Sequence, residues 1–381
     1  MSLSSDADWI IGVDTHLDTH TAALCDARGR AVAQLQVPAT TAGYVQLLAW
    51  ARSAAAGSRA VWAVEGTRHY GLGLARHLTG AGEQVTEIDS TKRVGKHRAG
   101  KSDAIDAVRA ARELLARPHP AQMRADGDRE ALRLLMIDRD NAVASAKTAR
   151  SALASVLVTA PAPLRERLRH LPRQRRAKEC AALTCPANAD RQTLILHQTL
   201  IRLGQRIAAL ASVAAELEAQ IAAIVEEMTP GLVAAEDGLG ALSAAQLLLS
   251  WSHAGRIRSE AAFAMLSGTA PVPVSSGRTD RHRLNRLGDR QLNRALHVVA
   301  VNRMRFHPPT QTYIQRRLAE GKTERDIRRC IKRYLARHLY RTLSKTRGSP
   351  ESVDNVSTLR GEAQLDRHRS VISRSVDALV E

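Results

Sequence analysis

The chain has 381 residues, a formal net charge of +18 and an aromatic content of only 3%. A chain of this length forms more than one core, and its charge points to a polyanion. Nucleic acid is favoured over a membrane because no apolar run is long enough to span a bilayer. The low number of aromatic residues argues against base stacking as the main way of binding single-stranded nucleic acid. Four cysteines and a polar start without signal-peptide features predict a reducing cytoplasm.

The first part of the chain alternates between strands and helices. Apolar runs predict strands at 9–14, 20–25, 31–37, 60–65 and 83–88, with helices near 41–55 and 70–80 and another from Ser102, whose hydroxyl can cap it. Three strands joined by short turns, followed by alternating helices and strands, are typical of a ribonuclease-H-like α/β sheet. Actin-like ATPases begin similarly, so strand order alone does not decide the fold.

Four carboxylates in this part have positions that suit a metal site. Asp14 and Glu65 each close an apolar run, so each lies at the tip of a predicted buried strand. Asp103 and Asp106 are three residues apart on the predicted helix and share one of its faces. Such hard oxygen ligands suit Mg²⁺ or Mn²⁺ in phosphoryl transfer. For any one acid alone, a solvated strand end or helix cap is the alternative interpretation.

Two further groups of ligand-type residues are not predicted to bind zinc. His16, Asp18 and His20 fall in the turn after the first strand. Cys180 and Cys185 lack a second ligand pair. We therefore expect neither group to form a zinc site.

Residues 128–228 are almost free of strand patterns. Ten apolar residues there follow an unbroken 4,3 spacing, the a/d seam of a coiled coil: Leu196, Leu200, Leu203, Ile207, Leu210, Ala214, Leu217, Ile221, Ile224 and Met228. The seam predicts pairing of chains into a dimer or tetramer, and the alternative is a long helix packed on residues 129–157 of its own chain. Residues 161–191, with four prolines and a basic run, are predicted to interrupt the helices as a mobile turn.

Residues 229–345 predict a third, mainly helical unit. Its opening Gly238-Leu-Gly240 could hold a phosphate at a helix start, although a simple tight turn is the favoured interpretation. Residues 278–345 contain 19 basic and 5 acidic side chains, a density typical of a surface that binds a phosphate backbone. The expected domains are therefore 1–120, 121–228 and 229–345, followed by a disordered polar tail at 346–381.

A further motif, Pro271-x(4)-Ser276-Gly277, precedes an arginine-rich stretch. Together with the four acids in their order, this motif resembles the Piv-like DEDD insertion-sequence transposases, the IS110 family, over roughly residues 9–345. The resemblance implies a RuvC-like catalytic domain, a helical coiled-coil region and a helical C-terminal transposase domain. It implies a DNA recombinase guided by a bridge RNA, with homo-oligomers in which the two catalytic halves meet across protomers.

The resemblance also implies a role for each candidate site residue. Asp14, Glu65, Asp103 and Asp106 would hold Mg²⁺ or Mn²⁺, and Ser276 would become joined to DNA during strand exchange. A serine hydroxyl needs a metal or a base to become a good nucleophile, which agrees with a nearby metal. The neighbouring Ser275 also carries a hydroxyl. The register of the motif favours Ser276 as the nucleophile. The alternative interpretation is that both serines only cap a loop.

The basic residues after the serine are candidates for nucleic-acid contact. Their guanidinium groups can form paired hydrogen bonds to phosphate oxygens. The alternative interpretation is that they form a basic helix face that only contacts solvent. The candidates are Arg278, Arg281, Arg283, Arg286, Arg290 and Arg294, then Arg325, Arg328, Arg329, Lys332, Arg333 and Arg337 at helical spacing. Donor DNA, target DNA and guide RNA are the expected partners. Two rival functions remain: a hydrolytic Holliday-junction resolvase, and a non-catalytic nucleic-acid-binding regulator.

Overall fold

The computed structural model describes residues 7–88, 102–117, 121–276, 279–285 and 288–346. The chain divides into a first unit, residues 1–124, and a second unit, residues 125–381. The predicted division of the second unit near residue 228 stays a prediction. The predicted disordered tail lies outside the described residues beyond Thr346.

The first unit is a six-stranded sheet with helices on both faces. Its elements are β1 (Trp9–Thr15), β2 (Thr19–Asp26), β3 (Ala31–Pro38), α1 (Thr41–Ala54), β4 (Ala60–Glu65), α2 (Leu72–Gly80), β5 (Val85–Ile88), α3 (Asp103–Ala116) and β6 (Ala121–Gln122). The strand order is β3-β2-β1-β4-β5-β6. Strands β1, β4 and β5 are parallel, whereas β2, β3 and β6 run antiparallel to their neighbours. This mixed sheet is consistent with the predicted ribonuclease-H-like domain; β6 was not predicted.

Strand alternation divides the buried residues of this sheet between its two faces. Ile10, Val61 and Ala63 pack with α3, whereas Ile11 and Trp62 pack with α1 and α2. Helix α3 thus covers the face to which even positions of β1 and odd positions of β4 belong. The strand-end acids at positions 14 and 65 continue those two rows.

The second unit is mainly helical. Its elements are α4 (Asp128–Val158), α5 (Ala162–Arg169), α6 (Arg173–Ala181), α7 (Arg191–Met228), α8 (Leu232–Ala235), α9 (Ala241–Trp251), α10 (Glu260–Leu266), β7 (Val272–Ser276), β8 (Thr279–Arg283), α11 (Arg290–Phe306), α12 (Pro308–Ala319) and α13 (Glu324–Thr346). Helix α9 is buried among α4, α7 and α11, and its Trp251 belongs to the largest apolar cluster of this unit.

The a/d seam of α7 packs against α4 of the same chain. All ten seam residues are buried or half-buried, and Ile221 is fully buried beside Leu132 of α4. Arg139 of α4 donates to Glu218 of α7 at 2.6 Å. The structure therefore shows the intrachain packing that was the alternative interpretation, while pairing between chains stays a prediction. Within the described residues α7 is the one helix whose length and hydropathy, 1.6, would allow it to cross a membrane, but its apolar stripe covers α4.

Residues 161–191 separate α4 from α7, as predicted, but they contain two short helices, so the prediction of a turn was wrong. Pro161 and Pro172 occupy the N-cap positions of α5 and α6, where a proline does not interrupt a helix. Helix α6 buries Ala177 and Cys180. At Gly204 of α7 an added Cβ would lie 2.6 Å from the Ala177 carbonyl oxygen, so the two helix backbones are in close contact.

Candidate functional site

Two of the predicted acids lie side by side at the carboxyl ends of neighbouring parallel strands. The register pairs Val13 of β1 with Val64 of β4, so Asp14 and Glu65 are the next residues on each strand. The Thr15 hydroxyl donates to the Glu65 carbonyl oxygen at 2.9 Å and ties the two strand ends together. Asp14 is buried and Glu65 is half-buried. The strand ends are therefore adjacent, as the sequence predicted.

The other two acids lie in the first turn of α3. Asp103 and Asp106 are there as predicted, and negative charge is favourable at a helix N-terminus. Asp106 forms an ion pair with Arg109, one turn further along. Ser102 occupies the N-cap position, but its side chain makes no capping hydrogen bond, so the predicted hydroxyl cap was wrong.

Asp14, Asp103 and a histidine form a compact group of metal-ligand type. His16 Nε2 lies 3.2 Å from Asp14 Oδ2 and 3.4 Å from Asp103 Oδ1, and the three ligand atoms lie within 4.8 Å of one another. Burial raises the pKa of the Asp14 carboxyl; nearby His16 opposes this shift, while the charges of Asp106 and Asp103 add to it. A cation among these groups would offset both burial and repulsion. The donor set therefore fits a divalent ion.

His16 is the member of this group that sequence reasoning missed. The sequence placed it in a turn and set it aside as a zinc ligand, and it does follow β1, where its backbone N–H donates to the Thr19 carbonyl at 3.0 Å. The available signal was its spacing of two residues from Asp14, which keeps both on one side of an extended chain. Glu65 and Asp106 do not belong to the three-atom group.

A cavity of about 640 Å³ lies beside Glu65, at the ends of β4 and β5. Glu65 lines it, together with the segment from Gly66 to Tyr70 and the buried Glu87. Arg68 Nε donates to Glu87 Oε1 at 2.8 Å, which offsets the buried negative charge. The first unit therefore has room for a substrate next to its carboxylates.

The candidate nucleophile lies on a β-hairpin of the second unit. Strands β7 and β8 are antiparallel, and Ser276, the last residue of β7, pairs with Thr279. The sequence predicted a loop here within a mainly helical unit, so the hairpin is a correction. Gly277 and Arg278, between the two strands, lie outside the described residues.

The chain after the hairpin is fixed to α10 and α11. Asn285 is buried and donates to the Met265 carbonyl at 3.2 Å. Gly288 has a φ of +113°, and a Cβ there would lie 2.4 Å from the Leu266 carbonyl oxygen. Asp289 then caps α11 by accepting from the backbone N–H of Leu292 at 3.0 Å. These contacts hold the base of the hairpin.

A basic cavity of about 590 Å³ lies between the hairpin and α13, and we call it the α13 groove. Its lining includes His282, Arg283, Arg329, Lys332, Arg333 and Arg337, and among the described residues Asp326 is its one acidic member. Of the predicted nucleic-acid contacts, the structure therefore brings five to one groove.

Some of these cations already have carboxylate partners. Arg333 and Arg337 donate to Glu260 at 2.7 and 3.0 Å, bonds that hold the pKa of Glu260 below its usual range. Lys332 instead donates to the Asn293 side-chain oxygen at 2.7 Å, and burial lowers the pKa of Lys332. The groove is thus partly neutralised and partly open to an anion.

The remaining predicted contacts are more scattered. Arg290, Arg294 and Arg325 are exposed on helices, and Arg328 is half-buried. Arg281 is placed by its backbone in β8, whereas Arg286, like Arg278, lies outside the described residues. The Gly238-Leu-Gly240 segment is a turn in which Gly238 has a φ of +78° and its carbonyl accepts from Asn302, in agreement with the tight-turn interpretation.

Comparison with known proteins matches both units. Residues 11–160 match a family model described as a transposase, the DEDD type of IS110, and residues 232–315 match the model described as the transposase IS116/IS110/IS902 family. A segment of 111 residues is 38% identical to the "Insertion element IS110 uncharacterized 43.6 kDa protein" of Streptomyces coelicolor. That segment is 28% of this chain and 27% of the relative, so the similarity spans about a quarter of either protein.

Proposed function

Because this chain belongs to the IS110 family of insertion-sequence transposases, we propose that it exchanges DNA strands through a covalent serine–DNA intermediate with the help of a divalent metal ion. Family membership indicates an enzyme that acts on DNA. The observation that carries the finer proposal is that the chain contains both an acid cluster at Asp14 and Asp103 in its first unit and, in its second, a basic groove beside the hairpin whose first strand ends at Ser276.

Asp14 and Asp103 would hold Mg²⁺ or Mn²⁺, with Glu65 and Asp106 as further carboxylates at the same end of the sheet. A bound ion would supply Lewis-acid stabilisation of charge on the scissile phosphate. The burial of Asp14 supports this role, since a buried carboxylate beside two others is costly without a cation. The adjacent 640 Å³ cavity would admit the substrate backbone.

Ser276 would act as the nucleophile. Its oxygen forms a bond to phosphorus, the bond to the leaving strand breaks, and that strand departs as a free hydroxyl with the proton. Attack by a hydroxyl of the exchanged strand reverses these steps, so the phosphodiester energy is kept in the phosphoserine bond. The α13 groove would hold the DNA backbone next to the hairpin through Arg283, Arg329 and Lys332.

The same proposal includes a multimer and a guide RNA. Because the acids and the serine belong to different units, a complete site could combine halves from two protomers. A structured guide RNA would carry the target sequence by base pairing, which agrees with a protein that is strongly basic and poor in aromatics. We place this assembly on DNA in the cytoplasm.

Two variants separate the proposal from its rivals. We expect both Ser276→Ala and Asp103→Asn to abolish strand exchange on a donor–target DNA pair while nucleic-acid binding remains. A hydrolytic resolvase would keep DNA cleavage in Ser276→Ala, since water is then the nucleophile. A binding regulator would show no cleavage in wild type and unchanged binding in both variants. Asp18→Asn, an exposed acid near Asp14, provides the control.

A further inference from the structure

We infer that His16 supplies a nitrogen ligand to the ion held by Asp14 and Asp103, and that the site therefore selects Mn²⁺ over Mg²⁺. This inference rests on the proposed metal site but goes beyond the four carboxylates. It assigns a specific atom, His16 Nε2, and a specific consequence for the identity of the ion.

The spacing of the three ligand atoms supports the assignment. Metal bonds to nitrogen and oxygen are about 2.0–2.2 Å long, so neighbouring ligands at right or tetrahedral angles lie about 2.8–3.6 Å apart. The separations of 3.2 Å from Asp14 and 3.4 Å from Asp103 fall inside this interval. His16 Nε2 is therefore spaced from each carboxylate oxygen as a second ligand of one small cation would be, and all three atoms lie within 4.8 Å of one another.

His16 is also held in place and accessible. Its backbone N–H bond to Thr19 closes the turn between β1 and β2 and fixes the residue beside Asp14. Its side chain is 42% exposed, so an ion can reach it from solvent. Without an ion, an imidazole N–H can bridge the two carboxylates; with an ion, the neutral ring binds through Nε2 and keeps its proton on Nδ1.

A nitrogen ligand changes the preference of the site. Mg²⁺ favours oxygen ligands and retained waters, whereas first-row transition ions accept imidazole readily. Loss of His16 should therefore weaken Mn²⁺ binding more than Mg²⁺ binding. For Mn²⁺ we expect at least the roughly tenfold loss that is typical when an outer partner of a metal ligand is removed.

The test uses the full chain with Mn²⁺ alone. Pulsed electron paramagnetic resonance detects nitrogen bound to Mn²⁺, and titration gives the affinity. We expect a nitrogen signal in wild type and in the control His69→Gln, an exposed histidine of the neighbouring cavity, and its loss in His16→Gln. Tight Mn²⁺ binding that is lost in Asp14→Asn but shows no nitrogen signal would overturn the role of His16 alone. No Mn²⁺ binding in wild type would overturn the metal site as well.

A second inference comes from the helical region, where the structure assigns a polyanion-binding groove between α4 and α6. A cavity of about 430 Å³ there is lined by Lys147, Arg150, Arg173 and Arg176, and no carboxylate among the described residues lines it. We call it the α4–α6 groove. The partner that fits is the phosphodiester backbone of a nucleic acid.

The local contacts show that these positively charged side chains lie together in one cavity without carboxylate partners among the residues that the structure describes. Arg176 donates to backbone carbonyls at the end of α5, the nearest being Arg169 at 2.6 Å. Within the described part of the chain, Lys147, Arg150 and Arg173 have no carboxylate within 4.0 Å of their side-chain nitrogens. Like charges in one cavity, with Arg173 and Arg176 in a helix first turn, reduce stability, which a bound polyanion would offset.

Charge reversal tests this groove. We expect Arg150→Glu with Arg173→Glu to weaken binding of duplex DNA, hairpin RNA or both, and to lower the salt dependence of log affinity by about 1–2 units. The control, Arg202→Glu with Arg206→Glu, makes the same charge change on exposed positions of α7 that do not line the groove. The nucleic acid whose binding weakens identifies the occupant. Equal affinities and salt slopes in both double variants would overturn the inference, whatever the outcome for the metal site.

Discussion

Gly12 of β1 lies directly beneath Ala107 of α3: a Cβ added at Gly12 would lie 2.0 Å from the Ala107 carbonyl oxygen. Only glycine therefore allows α3 to lie so close to β1. Because Asp103 begins α3 and Asp14 is the second-last residue of β1, we expect this contact to influence the separation of the two acids. A residue that binds no ligand itself would thus influence the geometry of the candidate metal site two positions further along the strand.

Gly12→Ala should push α3 away from the sheet and weaken Mn²⁺ binding, and we expect a loss of stability of about 1–3 kcal/mol. Thermal unfolding and Mn²⁺ titration measure the two effects. Gly80→Ala is the matched control, because nothing lies within 4 Å of a Cβ added there at the end of α2. Normal Mn²⁺ affinity in folded Gly12→Ala would show that the helix contact does not set the site.

Asp14 makes the stability of the metal-free protein depend on pH. Burial raises the pKa of its carboxyl in the folded state, so the folded chain holds this proton more tightly than the unfolded chain does. Stability then falls as the pH rises from the ordinary carboxyl pKa of 3.8 through the raised pKa of the folded state. Above that window the folded protein contains a buried charge that the unfolded protein exposes to water.

Asp14→Asn should therefore unfold at a higher temperature than wild type near pH 7 with a chelator present. Added Mn²⁺ should reverse the order, because only wild type gains the stabilisation of a bound ion. Melting curves with and without Mn²⁺ check both statements. In chelator, the difference in unfolding temperature between Asp14→Asn and wild type should shrink near pH 3. An Asp14→Asn variant less stable than wild type in chelator would contradict the burial argument.

The α7 seam gives a third prediction. Ile221 is fully buried against the second unit's own core, so Ile221→Ala should lower stability by about 2–5 kcal/mol. The control Val213→Ala, on an exposed part of the same helix, should change it by less than about 0.5 kcal/mol. The loss of stability in Ile221→Ala should not depend on protein concentration. A loss that grows on dilution would show instead that the seam pairs two chains.

The sequence predicted the first unit well because its strands are apolar runs bounded by turns. Each predicted strand end lies within two residues of the observed one. The placement of Asp14 and Glu65 followed, since parallel strand ends meet at one edge. His16 could not be placed in the same way, because its partner Asp103 is far along the chain and the contact depends on how closely α3 packs.

The second unit was harder to predict because the same residues have more than one structural use. Pro161 and Pro172 were interpreted as breakers, but a proline at a helix start is compatible with the helix. The segment up to Ser276 was interpreted as a loop, yet it forms a strand of a two-stranded hairpin, in which each strand has a free edge that tolerates Pro273. An apolar seam likewise identifies a packed face but not the chain that it packs against.

The last prediction concerns the nucleophile at the end of β7. Successive positions of a strand belong to opposite faces, so Ser275 and Ser276 should not be interchangeable. Protein trapped on a suicide DNA substrate should carry one covalent nucleotide, and peptide mapping should place it on Ser276. Ser276→Ala should remove the adduct and strand exchange together, whereas Ser275→Ala should retain the adduct. An adduct that persists in Ser276→Ala and disappears in Ser275→Ala would move the nucleophile by one residue, and cleavage without any adduct would indicate an activated water.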